Sequence, residues 1–307
     1  MSVVTANLKT TLLGTELRNP TILAAGFLGV SAESLIRVYE NGAGAVTTKS
    51  ISIESRNGHA NPTVLSFGHG LINAVGLSNP GIDNYIEEIK TVKEKKIPLI
   101  LNTIGDRNED FITVAKLGEA AGVDIIELNV SCPNVIHKKP YYSDPELLSS
   151  LVRNVKDAVS IPVIVKLSPN VTDIKEIAKA VEDAGADGIS AINTVGPGMI
   201  INIETAKPVM AFKKGGLSGP AIKPVAIRCV YDIYETVDIP VIGIGGIMNG
   251  KATVEMIMAG ASAVGIGSAI YYRGLDVFKK ISEELSEWMD NNGYTSIKQL
   301  VGAAHES

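Results

Sequence analysis

The chain has 307 residues, enough by length for two domains but also within the range that one barrel fills. A formal net charge of −5 argues against nucleic acid as a bulk electrostatic partner, and 45% hydrophobic with 20% charged residues fits a soluble enzyme with a large core. No apolar run is long enough to span a bilayer, and residues 1–9 lack the basic-then-apolar order of a signal peptide, so the expectation is a cytoplasmic protein with no membrane partner.

Residues 8–20 alternate around Gly14 and read as a hairpin at the base of the fold. Short apolar runs then predict strands over 21–26, 45–50, 98–105, 124–130, 162–168, 188–193, 240–246 and 263–268. Amphipathic stretches between them predict helices over 83–95, 108–121, 144–159, 173–184, 223–236 and 251–259, with a last one over 275–291. Eight strands, each followed by a helix, imply a parallel sheet closed into a (β/α)8 TIM barrel, one domain over 1–307. Gly42-Ala-Gly-Ala-Val46, Gly122-Val-Asp-Ile125, Gly185-Ala-Asp-Gly-Ile189 and Gly260-Ala-Ser-Ala-Val264 repeat one joint, a glycine ending a helix before the next strand. Residues 52–80 and 194–217 are long insertions after strands 2 and 6, and βα insertions lie on the catalytic face of such barrels.

Polar residues interrupt the apolar strands at their C-terminal ends. Lys49, Asn102, Asn129, Lys166 and Asn193 fall on strands 2 to 6 and should ring one mouth. One such residue would be a cap or a loop contact; together they point to a polar site. Strands 7 and 8 end in Gly243-Ile-Gly245-Gly246 and Gly265-Ile-Gly267-Ser268, whose backbone N–H groups suit a phosphate, although Gly243 and Gly265 are equally explained by close packing. Gly215-Gly216-Leu-Ser-Gly219-Pro220 opens the helix after strand 6 and suits close approach to a flat cofactor.

Two distant cysteines give no disulfide framework, and without Cys-x-x-Cys the chain holds no cysteine-ligated iron–sulfur cluster alone. Cys229 lies on the apolar face of a helix with Val225 and Ile233 and reads as core. Cys132 follows the strand 124–130, just before Pro133, between Asn129 and Asn134. That setting fits a nucleophilic or proton-transferring thiol, while packing remains the commoner fate of a free cysteine. His59, His69, His137 and His305 have no metal-ligand spacing, so no metal is expected; they read as loop residues, with only His59 and His69 near the mouth.

Five motifs in combination resemble the dihydroorotate dehydrogenase family, class 1. They are Asn129-Val-Ser-Cys132-Pro-Asn134, Asn73-Ala-Val-Gly-Leu77-Ser-Asn79, Lys166-Leu-Ser-Pro-Asn-Val-Thr-Asp173, the run from Gly215 to Pro224, and Gly243-Ile-Gly-Gly246. The resemblance covers nearly the whole chain. The Ser-Pro-Asn-Val-Thr-Asp and Ser-Gly-Pro-Ala-Ile-Lys-Pro versions are similar to subclass 1B, which works with an electron-transfer subunit carrying FAD and a 2Fe–2S cluster, two copies of each chain, and reduces NAD.

The resemblance implies one FMN per chain and oxidation of dihydroorotate to orotate in pyrimidine biosynthesis. Cys132 matches the catalytic base that takes the C5 proton, and the C6 hydride goes to flavin N5. Ala25, Lys49, Ser50, Asn102, Asn129, Lys166, Ile192, Gly219, Gly245, Gly246, Gly267 and Ser268 match FMN contacts. Lys49, Asn73, Ala74, Val75, Gly76, Leu77, Asn129, Asn193 and Thr194 match substrate contacts. Ala24-Ala25-Gly26-Phe27 departs from the family's Ala-Ser-Gly-Thr, so a contact at Ala25 would be through its backbone. Residues 135–142, after the cysteine, are either a lid or an ordinary solvated loop. Rival readings are a dihydropyrimidine dehydrogenase-like enzyme, a fumarate-linked class 1A enzyme, and a non-catalytic barrel.

Overall fold

The computed structural model describes residues 6–131 and 140–305. The chain opens with β1 (Thr10–Leu12) and β2 (Thr15–Leu17), which pair antiparallel. Their two-residue turn, Leu13-Gly14, has positive φ at both positions, the geometry that matches the twist of a tight hairpin. There follow β3 (Thr21–Leu23), α1 (Ala32–Glu40), β4 (Ala45–Thr47), β5 (Val64–Ser66), β6 (Leu71–Asn73), α2 (Ile86–Glu94), β7 (Leu99–Thr103), α3 (Asn108–Ala121) and β8 (Ile125–Asn129). The second half runs through α4 (Pro145–Lys156), β9 (Val163–Leu167), α5 (Ile174–Asp183), β10 (Gly188–Ala191), β11 (Val195–Gly198), β12 (Ile201–Asn202), β13 (Lys207–Pro208) and β14 (Gly215–Ser218). It closes with α6 (Lys223–Tyr234), β15 (Val241–Ile244), α7 (Gly250–Met258), β16 (Ala261–Ile266), α8 (Ala269–Arg273) and α9 (Val277–Asn291).

Strands β3, β4, β7, β8, β9, β10, β15 and β16 pair in that order and close on themselves, every neighbour parallel. All of the eight predicted barrel strands are present, and the hairpin fills the base as expected. Leu12 and Leu17 enter the barrel's lower end and pack on Ile22, Ala45, Ile100, Ile125, Ile164, Ile242 and Ala263. These strand residues alternate with outward ones that form the second core under the helices, among them Leu99, Leu101, Ile126, Val163 and Val165.

Carboxylates tie the base together in a repeated way. Asp124, before β8, accepts from Leu99 N of β7 at 2.7 Å and pairs with Lys93 of α2. Asp187, before β10, accepts from Val163 N of β9 at 2.7 Å and pairs with Lys156 of α4. Glu119 of α3 caps the backbone N–H groups of Ser160 and Ile161, and Glu182 of α5 does the same for Asp238 and Ile239. The four repeated joint glycines, Gly42, Gly122, Gly185 and Gly260, all have φ between 91° and 118°, a conformation that turns a helix end toward the next strand at little steric cost to glycine.

Two helices lie outside the sequence prediction. Ala32–Glu40 is capped by Ser31, which accepts from Ser34 N, and Ala269–Arg273 is a short turn after the last strand. The two insertions also carry structure that periodicity did not reveal. Strands β5 and β6 from the first join β11 and β14 from the second in one antiparallel sheet, ordered β11-β14-β6-β5. The run Gly215–Ser218 is therefore a strand rather than a helix-opening loop. A Cβ at Gly215 would lie 2.4 Å from Asn73 O, and one at Gly216 would lie 2.1 Å from Thr194 Oγ1, so these glycines serve strand packing.

Candidate active site

The C-terminal ends of the barrel strands and the inserted sheet enclose a cavity of about 530 Å³, within the range of small-molecule sites. Its floor and walls take Lys49, Ser50, Asn129, Lys166, Ile192 and Asn193 from strand ends. Gly245, Gly246, Gly267 and Ser268 come from the ends of the last two strands, Ala25 from the first, Asn73 to Leu77 and Thr194 from the insertions, and Gly219 from just beyond the second. The strand-end positions and the insertion motifs thus meet at one mouth.

Asn102 is the exception. It is 0% exposed, lies below the lining, and gives its Nδ2–H to Glu127 inside the barrel. Its polar side chain at a strand's C-terminal end suggested a place on the mouth, and the structure seats it one level lower. Cys132 lies outside the described residues, as do residues 135–139 of the suggested lid. Beyond them Tyr141 is buried, donating to Asn108 Oδ1 at 2.9 Å and meeting Phe111 edge-on.

The asparagines are largely bound to one another and to serines. Asn129 Nδ2 donates to Ser50 Oγ at 3.2 Å, while Asn193 Nδ2 donates to Asn129 Oδ1 at 3.2 Å and to Ser131 Oγ at 2.7 Å. Asn193 Oδ1 accepts from Thr194 N at 2.8 Å. This net fixes the amides before any ligand enters. Ser131, which lines the cavity, is a residue that sequence reasoning missed although it stands inside the motif from Asn129 to Asn134, next to Cys132.

The cationic groups are differently placed. Lys166 is 5% exposed and forms no ion pair among the described residues. Among the described residues Lys49 reaches only Gly26 O, at 3.5 Å, and burial pushes its pKa below the ordinary lysine value. Two lysines on one cavity wall, neither in an ion pair among the described residues, suit an anionic or electron-rich ligand.

The glycines divide as the sequence left open. A Cβ on Gly243 would strike Met256 Cγ at 2.4 Å, so that glycine makes room for α7. At Gly267 the nearest atom to a Cβ is Phe27 Cδ2, 3.5 Å away, and the position faces the cavity. The backbone N–H groups of Gly246, Gly267 and Ser268 donate to no backbone carbonyl among the described residues.

His59 lies against the cavity segment. Its N–H donates to Val75 O at 3.0 Å and its Nδ1 is 3.1 Å from Ala74 O. His69 contributes its carbonyl, which accepts from Ala221 N. His305 stacks on Tyr231 far from the mouth, and no cluster of metal-ligating side chains occurs among the described residues. Cys229 is buried, with its thiol pKa raised by burial, as expected of a core cysteine. No helix among the described residues is long and apolar enough to cross a membrane.

The family model for dihydroorotate dehydrogenase matches residues 7–289. The chain is 50% identical over 301 residues to a protein of Methanothermobacter thermautotrophicus named dihydroorotate dehydrogenase B (NAD(+)), catalytic subunit, covering 97% of this chain and 99% of that one. A protein of the same name from Methanocaldococcus jannaschii is 49% identical over 97% of this chain and 98% of its own. The Pyrococcus abyssi counterpart is 47% identical over 97% and 99%. Matched along almost its entire length, and with the family's strand-end motifs gathered on one cavity, the chain belongs to the dihydroorotate dehydrogenase family, on the class 1B branch.

Proposed function

We propose that the chain, acting as one barrel in the cytoplasm, oxidises dihydroorotate to orotate for pyrimidine synthesis. It binds one FMN and hands electrons to a partner subunit carrying FAD and a 2Fe–2S cluster, in an assembly of two of each, and thence to NAD. The observation that carries this reading is the pairing of two lysines, Lys49 and Lys166, neither in an ion pair among the described residues, with a glycine-lined rim in the same cavity.

The residues fit FMN. The backbone N–H groups of Gly246, Gly267 and Ser268, without a backbone acceptor among the described residues, suit its phosphate, and all three residues line the cavity. Ser50, Asn129, Ile192, Gly219 and Gly245 line the same space, as does the backbone at Ala25. When bound, FMN supplies the hydride acceptor that no side chain can provide.

The chain's own groups do the rest. Cys132 removes the C5 proton; it follows Ser131, which lines the cavity. Its thiol must reach the thiolate form near neutral pH, which cationic neighbours favour. The Lys49 ammonium pairs with the substrate carboxylate. Lys166, a cation on the cavity wall, would help hold the flavin and offset negative charge on it. Asn73, Asn129, Asn193 and Thr194 meet the substrate's ring amides, and Ala74, Val75, Gly76 and Leu77 wall it from water.

The test is anaerobic. Purified protein loaded with FMN should be yellow and should bleach on adding dihydroorotate, and Cys132→Ser should retain FMN yet bleach at least ~100-fold more slowly at neutral pH. Near-normal bleaching by the serine variant would remove the base assignment. Refusal of FMN by well-folded protein would remove the flavin reading altogether.

A further inference from the structure

The motif from Lys166 to Asp173 carries a residue that the reaction just described does not use. Asn170 lies in the loop after β9, beyond Ser168 and Pro169, and does not line the cavity. Its side chain reaches across to the start of the second insertion. Oδ1 accepts from Gly196 N at 2.9 Å, and Nδ2 donates to Thr194 O at 3.0 Å. A backbone N–H only donates and a carbonyl only accepts, so these two partners fix which way round the amide lies. The backbone N–H of Asn170 donates to Ser168 Oγ at 3.2 Å, and Ser168 is buried.

The place of the contact matters more than its strength. Strand β11 pairs with β14 at Val195 and again at Gly198, and the register shifts between them. A shift of that kind leaves backbone groups without ladder partners. There Gly196 has φ 119°, and its N–H goes to Asn170. Just upstream, Thr194 lines the cavity and its N–H donates to Asn193 Oδ1 at 2.8 Å. The backbone N–H of Asn193 donates to Leu167 O, also at 2.8 Å. Asn193 and Thr194 are thus gripped from both sides by the stretch that follows Lys166, by Leu167 ahead of them and Asn170 behind.

We propose that Asn170 is a positioning residue for the substrate, holding the chain at Thr194 and Gly196 so that the Asn193 amide keeps its orientation as dihydroorotate enters. This rests on the reading of Asn193 and Thr194 as substrate contacts. Asn170 touches neither substrate nor cofactor; it acts through the backbone of the insertion. Its side chain is exposed, so replacing it opens no hole in the core, and the effect falls on the substrate rather than on the fold.

The experiment compares wild type, Asn170→Ala, Asn193→Ala and the double variant as FMN-loaded protein, with orotate as the probe. Orotate dissociation constants are read from the flavin spectrum, beside the FMN dissociation constant and the thermal midpoint. Asn170→Ala should weaken orotate binding about three- to tenfold, the worth of one neutral hydrogen bond, and leave FMN affinity and midpoint unchanged. On the Asn193→Ala background the same change should cost less than about twofold, because the amide it serves is gone. KM for dihydroorotate should follow orotate, with the limiting rate of flavin reduction held within about twofold. Unaltered orotate affinity, equal losses on both backgrounds, or an FMN affinity or midpoint that falls in step overturns the proposal and leaves the dihydroorotate reading intact. A wild-type protein that takes up FMN but binds no orotate and is not bleached by dihydroorotate removes the substrate reading, and this proposal with it. Should Asn170→Ala fail to fold, Asn170→Ser, too short to bridge both groups, takes its place; weaker orotate binding is again expected, and wild-type affinity overturns the assignment.

Discussion

The rings of His59 and Phe212 stack face to face, centroids 4.1 Å apart and planes within 11°, although the two residues come from insertions after different barrel strands. His59 in turn holds Ala74 and Val75, which line the cavity. Phe212 is half exposed, so it contributes little to the core and much to holding one insertion against the other. Phe212→Ala should therefore raise KM for dihydroorotate by about two- to tenfold, the worth of an aromatic pair, with kcat nearly unchanged. Steady-state kinetics at saturating acceptor decide it; a fall in kcat at constant KM would show that the clasp does something else.

Lys49 makes a pH prediction whose sign follows from its lowered pKa. The ammonium is present at low pH and is lost as pH rises through a value below that of an ordinary lysine. KM for the dihydroorotate anion should then climb at a lower pH than the titration of an ordinary exposed lysine would allow. Lys49→Arg, which stays charged, should abolish the climb even if its absolute KM is higher.

The same residue should cost stability in the ligand-free chain. Between the lowered folded pKa and the ordinary value the unfolded state binds more protons, so stability rises with pH across that window. Lys49→Met removes a half-buried charge without an ion-pair partner among the described residues and should raise the thermal midpoint of FMN-free protein by roughly 2 °C at neutral pH while weakening dihydroorotate binding. A lower midpoint would mean that the ammonium has a partner in solution.

Gly215→Ala tests the sheet over the mouth. The added methyl would lie 2.4 Å from Asn73 O, a backbone atom that has no flexible end to swing away. A destabilisation of roughly 1–3 kcal/mol is expected, together with a higher KM, because Asn73 begins the cavity segment. Denaturant unfolding and kinetics on one preparation give both numbers.

At the opposite end, Asp187→Ala deletes the acceptor of Val163 N and the partner of Lys156. Roughly 1–3 kcal/mol of stability should disappear while kcat and KM stay at wild-type values. Altered kinetics would show that the base and the mouth communicate.

The barrel was legible because its strands are short apolar runs bounded by glycine and proline, and because Gly42, Gly122, Gly185 and Gly260 mark the joints. The lid sheet was not, because strands of three or four residues such as Gly215–Ser218 carry no measurable period and their glycines suggest a loop. Ala32–Glu40 was missed although Ser31 was its visible cap. In the site, residue type located Lys49, Asn129, Lys166 and Asn193 at the mouth. It did not distinguish Asn102, one level lower, since a polar residue near a strand's end is marked by type and not by height. Glu127 carried a signal, a lone acid within Ile125-Ile126-Glu127-Leu128, that hydrophobic averaging hid.

Because Asp124 and Asp187, Glu119 and Glu182, and Lys93 and Lys156 recur at the same sequence offset, the base of the barrel is fastened by copies of one clasp, none of them touching the cavity. Foundation and workshop are thus separately engineered. The loops that choose a substrate can be exchanged as a block, both insertions together, on a foundation that has no stake in which molecule is chosen.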